Sequence, residues 1–493
     1  MMRNRILAAA ALLCFLTVLL PRPVCAQETA QELSGKDLVT GKEGFASCDW
    51  LFDGTRNLRT IQPNAVLELE AEQGIGSLYL MFDVEYGPYT LVNEDSGKTF
   101  RCGENRFLHE YIDLTEIFGQ APKKASLHFG EDAPKLQELR AFTLGDPPAD
   151  VQRWRTAPAE GVDLMLFSAH SDDEQLFFAG VLPYYGGELG YDVQVAYLTR
   201  HANYGTTRPH EALDGLWACG VTIYPVFGDF LDYYTESLST AYQSYANRGI
   251  DQEQLLSYVV EQLRRAKPLV ALGHDVNGEY GHGMHRMYSE LLQKAVEVSG
   301  DPTAFPESAE AYGTWDVPKT YLHLYPEGKI HMNWDQPLEH FDGMTAYEVS
   351  KELGYPAHVS QYDGFSWYMH GHDTAEDIPH IGPCDYGLYR TTVGPDQEGT
   401  DLFEHLTTRA EQKRQEEEAR ILEEERRIQE EEARRKAAQE AQQAESTQPA
   451  VDDAEVEKSE NSVKTSGIIG ISGVLFALSI ALIFLLHHVL KRN

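Results

Sequence analysis

The sequence predicts a multidomain chain: an N-terminal all-β sandwich, a central α/β domain on a mainly parallel sheet, a charged helical stalk and a single C-terminal transmembrane helix. Three observations predict it. Residues 45–144 run in short alternating apolar and polar stretches. Residues 160–325 alternate apolar runs with helical patterns, and long apolar stretches stand near both ends. A chain of 493 residues exceeds one core, because a domain takes roughly 100–200 residues.

The first segment, 1–26, reads as a secretory signal. Arg3 and Arg5 precede an apolar run from Ile6 to Leu20, Pro21 and Pro23 end it, and Val24-Cys25-Ala26 offers small residues for cleavage before Gln27. Export makes disulfides possible, and Cys48 with Cys102 is the pair that one domain brings together. No CxxC or finger-type spacing points to a zinc–cysteine site.

Residues 27–148 form the expected sandwich. Ala65-Val66-Leu67-Glu68-Leu69 and Ser77-Leu78-Tyr79-Leu80-Met81-Phe82 are strand stretches, separated from others by Gly, Asp and Asn. Leu51-Phe52-Asp53-Gly54-Thr55 followed by such strands is similar to the galactose-binding, discoidin-like jelly rolls, which implies either glycan binding or a structural spacer. Gly145-Asp146-Pro147-Pro148 marks the boundary.

From 155 to 403 the texture is α/β. Strands are expected at Val162–Phe167, Val193–Leu198, Thr222–Phe227, Leu269–Leu272 and Tyr321–Tyr325, with helices between them. Ligands of such sheets bind beyond the carboxyl ends of the strands. Residues 404–466 form the stalk and a flexible acidic linker. Glu416/Arg420, Glu423/Arg427, Glu430/Arg434 and Glu432/Lys436 are i,i+4 pairs on a solvated helix, and Ile421 and Ile428 leave a weak coiled coil open. Residues 467–487 are apolar and long enough to span a bilayer. Lys491 and Arg492 then place the tail, 488–493, in the cytoplasm and the rest outside the cell. A net charge of −36 excludes nucleic acid and anionic lipid as main partners.

Two polar clusters carry the chemistry. Ala169-His170-Ser171-Asp172-Asp173-Glu174 follows an expected strand and precedes a helix start. Such a turn aims His170 and Asp173 at one metal ion while Asp172 points elsewhere; the other reading is a helix N-cap. Gly273-His274-Asp275 and Gly278-Glu279-Tyr280-Gly281-His282-Gly283-Met284-His285 follow a second strand, with His282 and His285 on one helical face. Two His/Asp clusters at strand ends of one sheet point to a metal site. Aromatic and polar residues at 355–390, among them His358, Gln361, Trp367, His370, His372 and Tyr386, read either as sugar-stacking groups or as loop packing.

Here the chain resembles the PIG-L/LmbE-like N-acetylglucosaminyl deacetylases. Their AHPDDE-type motif stands as AHSDDE at 169–174, their GHxxH-type motif as YGHGMH at 280–285, and their Arg-x-x-Glu helix with a Gly-Val turn as Arg208, Glu211, Gly220 and Val221. The resemblance implies a Rossmann-like fold and a Zn²⁺-dependent hydrolase that removes acetyl from an N-acetylated amino sugar. It makes His170, Asp173 and His285 the metal ligands, Asp172 the general base, His282 the acid or electrophile, and Tyr280 an oxyanion donor. Arg208 lies near substrate or pairs with Glu211. Ser171 replaces the family's proline, and Met284 stands where some members carry an aspartate behind the catalytic histidine. The implied protein is a single-pass cell-membrane enzyme with both folded domains outside. The alternatives are a cell-surface glycan-binding protein with a degenerate hydrolase domain, and a zinc amidohydrolase of a non-sugar acyl amide.

Overall fold

The computed structural model describes residues 29–446 apart from 34, 201–206, 362–363 and 365–367. The chain divides between Glu417 and Glu418 into two units. The first contains the sandwich and the α/β domain.

Strands β1 (Val39–Phe45), β2 (Ile61–Glu70), β3 (Ser77–Phe82), β4 (Tyr89–Asn93), β5 (Lys98–Cys102), β6 (His109–Asp113), β7 (Lys124–His128) and β8 (Leu136–Phe142) pair antiparallel. They form two sheets, β1-β2-β7-β4-β5 and β6-β3-β8. Period-two alternation explains the sandwich: Ala65, Leu67 and Leu69 of β2 turn inward and meet Leu78, Leu80 and Phe82 of β3 in one core. The other face of β3 is also buried, Tyr79 and Met81 packing with Phe142 and Val151. Cys48 and Cys102, whose pairing the sequence left open, are separate buried thiols.

The central sheet runs β11 (Val226–Phe230), β10 (Val193–Thr199), β9 (Leu164–Ser168), β12 (Val270–Gly273), β13 (Lys319–His323), β15 (Asp385–Thr391) and β14 (Lys329–His331). The first five strands are parallel, and β15 alone runs against the rest, pairing antiparallel with β13 on one side and β14 on the other. Chain order reverses between β9 and β12, which is where such sheets open a ligand crevice. Strand β9 is buried on both faces. Leu164 and Leu166 join the core that includes α2 (Thr207–Ala218), and Met165 and Phe167 join the core that includes α4 (Gln252–Ala266) and α5 (Gly283–Val298). A capping box of Asp251 and Gln254 starts α4, and Lys267 in the left-handed region ends it.

The strand expected at Thr222–Phe227 forms at Val226–Phe230 instead. Arg155 pairs with the 222–224 stretch first, its N–H donating to Thr222 and its carbonyl accepting from Tyr224. Strand β13 begins two residues earlier than expected because Lys319, fully buried, is ion-paired with Asp396 and so reads as polar.

The single C-terminal transmembrane helix is a correction. Among the described residues no helix is long and apolar enough to cross a membrane. The long C-terminal helix that is described, α6 (Arg409–Ser446), carries Glu, Arg and Gln side chains that a bilayer core does not accept. The expected span 467–487, its tail 488–493 and the expected signal segment 1–26 lie outside the described residues. The single-pass cell-membrane placement is withdrawn with the helix. Helix α6 also differs in its pairing: Arg427 meets Glu424 at 2.7 Å, not Glu423, and Arg426 reaches Glu423 and Glu430. Ile421, Leu422 and Ile428 are exposed along it. Its first turn is rooted in the α/β domain, where the Arg409 N–H donates to Asp163 at 2.6 Å.

Sandwich and α/β domain meet through polar groups as well as aromatic ones. Phe107 stacks on Tyr224 at 4.3 Å, and Arg56 pairs with Asp214 at 2.7 Å. Between them lies a buried histidine pair, His109 Nε2 2.7 Å from His210 Nδ1, with Gln152 and Tyr79 on the other nitrogen of His109. Burial, with the Arg56 charge, lowers His109 to about 3, and burial holds His210 well below the usual imidazole range. Both histidines therefore take up a proton on unfolding once the pH drops below about 6.5. Stability is complete above that pH and falls as pH drops toward the folded values, by up to about 1.4 kcal/mol per pH unit for each histidine. Urea midpoints measured at neutral and mildly acidic pH should show this slope, and His109→Gln should make it shallower; an unchanged slope would rule the pair out as its source.

Candidate active site

The crevice is built by the two loops that leave β9 and β12. After β9 the chain turns sharply, with Asp172 at φ 141°, and enters the short helix α1 (Asp173–Leu176). Asp172 makes no side-chain cap bond there, so the N-cap reading does not describe it. Its carboxylate instead meets Arg208 of α2 at 3.0 Å, and Arg208 also donates to the Ser171 carbonyl. Glu211 does not serve as the partner of Arg208 that the sequence left open; it accepts from the N–H and hydroxyl of Ser360. After β12, Tyr280 sits in the left-handed region at φ 44°, and the turn delivers His282 and His285 to the start of α5. Gly283 is required there, since a Cβ would stand 2.8 Å from the Ser237 carbonyl.

These turns bring the predicted ligand set together. His170 Nδ1 is 3.0 Å from Asp173 Oδ2 and 3.2 Å from His285 Nε2, and His285 Nε2 is 3.2 Å from Asp173 Oδ2. A tetrahedral zinc ion with ligand bonds near 2.0–2.1 Å holds its donors about 3.3 Å apart, so this triangle fits a metal ion. His282 adjoins it: donor atoms of His170, His282 and His285 also lie within 4.8 Å of one another. A third grouping, Asp173 with His274 and His285, has the same spacing but not the chemistry. The Ala169 N–H donates to His274 Nε2 at 2.8 Å, which occupies that lone pair.

Residues 165–296 match the family model described as PIG-L: GlcNAc-PI de-N-acetylase. This segment is a PIG-L family domain. Among curated relatives, the chain is 24% identical over 239 residues to 1D-myo-inositol 2-acetamido-2-deoxy-alpha-D-glucopyranoside deacetylase 1 of Catenulispora acidiphila, covering 44% of this chain and 72% of that protein. It is 26% identical over 291 residues to the corresponding deacetylase of Streptomyces avermitilis, covering 49% of this chain and 96% of that one. A solved structure of N,N'-diacetylchitobiose deacetylase from Pyrococcus horikoshii is 14% identical, with a TM-score of 0.31, over 46% of this chain and 83% of its own.

Behind the triangle, the PIG-L domain holds its histidines with carboxylates. Glu279, fully buried, faces His274 Nδ1 at 2.8 Å, His285 Nδ1 at 2.7 Å and His323 Nδ1 at 2.7 Å. Binding Nδ1 of His285 in this way leaves its Nε2 lone pair for a metal. Asp232 does the same for His170 from the loop after β11, 3.2 Å from Nε2. Glu174 is ion-paired to the buried His358 at 3.0 Å and accepts from the Asp172 N–H, bracing the turn. Sequence reading missed the roles of Asp232, His323 and His358. Asp232 was findable, since it follows the carboxyl end of a parallel strand; His323 reads as ordinary strand and His358 lies in a loop without periodicity. The Tyr386 ring packs against Phe178 and His323, the Gln361 amide donates to the Ser360 carbonyl, Trp367 lies outside the described residues, and among the described residues no metal-donor group includes His370 or His372.

The electrostatics follow from burial and these contacts. Burial raises Asp172 to about 6, partly offset by Arg208. For Asp173 burial is outweighed by His285 and His170, which hold it well below the usual carboxylate range. His170 and His285 are pushed up to about 10 and about 9, their neighbouring carboxylates overcoming the cost of burial. His282 is lowered to about 2 by burial and by the charges of His170 and His285. Neither of its ring nitrogens hydrogen-bonds to a described residue, and Met284 nearby in sequence is packed into the core. Its ring is instead stacked with Tyr234 at 5.2 Å and Tyr280 at 5.6 Å.

Glu279→Gln replaces an acceptor of three imidazole contacts by an amide with one acceptor oxygen. It should destabilise the protein by about 3–5 kcal/mol, the usual cost of breaking a buried charged network. A urea midpoint equal to wild type would show that Glu279 does not hold these three elements together.

Proposed function

We propose that the protein is a zinc-dependent hydrolase that removes acetyl from an N-acetylated amino sugar. The PIG-L domain and the names of its relatives support the deacetylase class. The observation that carries the mechanism is Asp172: a buried carboxylate, oriented by Arg208, next to the donor triangle of His170, Asp173 and His285.

Two histidines and one carboxylate suit zinc and leave a coordination position open. Zinc held by these residues supplies Lewis acidity and lowers the pKa of water at the site. The remaining steps belong to the chain. Asp172 accepts a proton from the attacking water as its oxygen bonds to the amide carbon. Tyr280 and His282 stand beside the triangle and donate to the oxyanion that forms on the former carbonyl oxygen. His282, neutral at its lowered pKa, donates through the one ring nitrogen that carries a proton, and neither nitrogen is held by a described residue. The C–N bond then breaks, and the departing nitrogen takes from Asp172 the proton that the water gave up. The products are acetate and a free amino sugar. Arg208 acts on Asp172, holding the base in place.

Met284 favours a second reading, a glycan-binding protein with a degenerate hydrolase domain, since no described residue hydrogen-bonds to the His282 ring. Elemental analysis and acetate release from a panel of N-acetylated amino sugars separate the two. The hydrolase should carry about one zinc per chain and release acetate; metal-loaded protein without any acetate release supports the degenerate domain. Asp172→Asn should keep zinc while turnover falls by about 10²–10⁴-fold. His285→Ala, which removes one of three protein ligands, should lose the metal. Full zinc occupancy in His285→Ala, or wild-type turnover in Asp172→Asn, would refute the corresponding role.

A further inference from the structure

The outward side of the β6-β3-β8 sheet carries a cavity of about 510 Å³, lined in part by Phe52, Asp53, Arg56, Met81, Glu138 and Arg140. Both guanidinium groups in it are already paired. Arg140 meets Glu32 at 2.8 Å and Asp150 at 2.5 Å, and Arg56 meets Asp214 at 2.7 Å. Glu32 and Asp150, which also line the cavity, are thereby neutralised, but the carboxylates of Asp53 and Glu138 have no ion-pair partner among the described residues. Asp53 accepts from the N–H and hydroxyl of Thr55 through Oδ1 alone. Glu138 is only 7% exposed, yet no described residue hydrogen-bonds or ion-pairs with its carboxylate. Arg140, Arg56 and Asp53 act on it only through space, and burial raises its pKa.

We propose that this cavity binds a primary ammonium group, and that its ligand is the amino sugar released by deacetylation, an identification that rests on the function proposed above. A buried carboxylate without a partner is costly, and a neutral polyol leaves its charge uncompensated. A divalent cation such as calcium needs six to eight oxygens, and here two unpaired carboxylates stand beside two guanidinium groups. An ammonium group brings one positive charge and three donors, which Glu138 and Asp53 accept. Phe52 and Met81 provide apolar wall for the C–H face of a sugar ring. N-Acetylation abolishes both the charge and two of the donors, so the cavity distinguishes product from substrate.

Calorimetric titration of the full chain at about pH 6, where a primary amine is protonated, with glucosamine, propylamine and N-acetylglucosamine tests this. Both amines should bind saturably. Glu138→Gln should weaken them roughly tenfold or more, as loss of one partner of a buried charge pair does. Asp53→Asn, at an exposed position, should weaken them without affecting folding. Acetate release should stay within about twofold in both variants, since neither residue touches the donor triangle. Amine affinity unchanged in Glu138→Gln and Asp53→Asn, or equal affinity for N-acetylglucosamine at the Glu138-dependent site, overturns the proposal. Propylamine binding without glucosamine binding overturns the amino-sugar assignment. Absence of acetate release with intact Glu138-dependent amine binding removes the deacetylase reading, and with it the ligand's identity as a reaction product, but leaves the ammonium site standing; absence of amine binding with intact acetate release removes the ammonium site alone.

Discussion

The carboxylate of Glu279 is the constraint on which the site depends. It is fully buried, and it faces one histidine from the end of β12, one from the start of α5 and one from β13. Burial alone would push its proton affinity up; the charge and N–H groups of His274, with those of His285 and His323, reverse that and hold it well below the usual carboxylate range. An ionised Glu279 fixes which imidazole nitrogen points outward. His274 then accepts from the Ala169 N–H, and His285 presents Nε2 to Asp173. The donor triangle is thus the outer surface of a hydrogen-bonded cluster, and its orientation is set before any ligand arrives.

The sheet supplies the rest. Neighbouring parallel strands β9 and β12 end side by side, so His170 and His285, 115 residues apart in sequence, converge within hydrogen-bond distance. The third parallel strand, β11, contributes Asp232 from its own carboxyl end. Arg208 reaches Asp172 because α2 packs across β9, and the segment that includes His358 and Ser360 is tied to Glu174 and Glu211. Each device removes freedom from Asp172, whose strained φ the surrounding contacts enforce.

Much of this was legible in the residues. Alternation along β2 and β3 announced the sandwich, and apolar runs located β9, β10 and β12 within two residues. The convergence of His170, Asp173 and His285 was legible because a short turn between strand and helix packs chemistry into consecutive positions. What was not legible depends on partners distant in sequence. Lys319 looks like loop until Asp396 neutralises it, β11 slides because Arg155 occupies the preceding residues, and Asp232 and His358 are ordinary polar residues until the fold brings His170 and Glu174 to them. The i,i+4 arithmetic of α6 predicted a charged helix correctly but not the partner of Arg427, since exposed side chains choose among several neighbours at similar energy.

The sandwich is joined to the α/β domain through α2, the helix that carries Arg208. His210 and Asp214 on that helix meet His109 and Arg56 of the sandwich, and Tyr224 just beyond it stacks on Phe107. A fragment starting after residue 155 would present this surface to water with its histidine pair broken and an aromatic ring uncovered. The α/β domain is therefore not a cartridge that can be lifted onto another scaffold. Recombination or library work on this chain has its natural crossover after the root of α6, and a change made to the sandwich at Arg56 or His109 is also a change to the helix that holds Asp172.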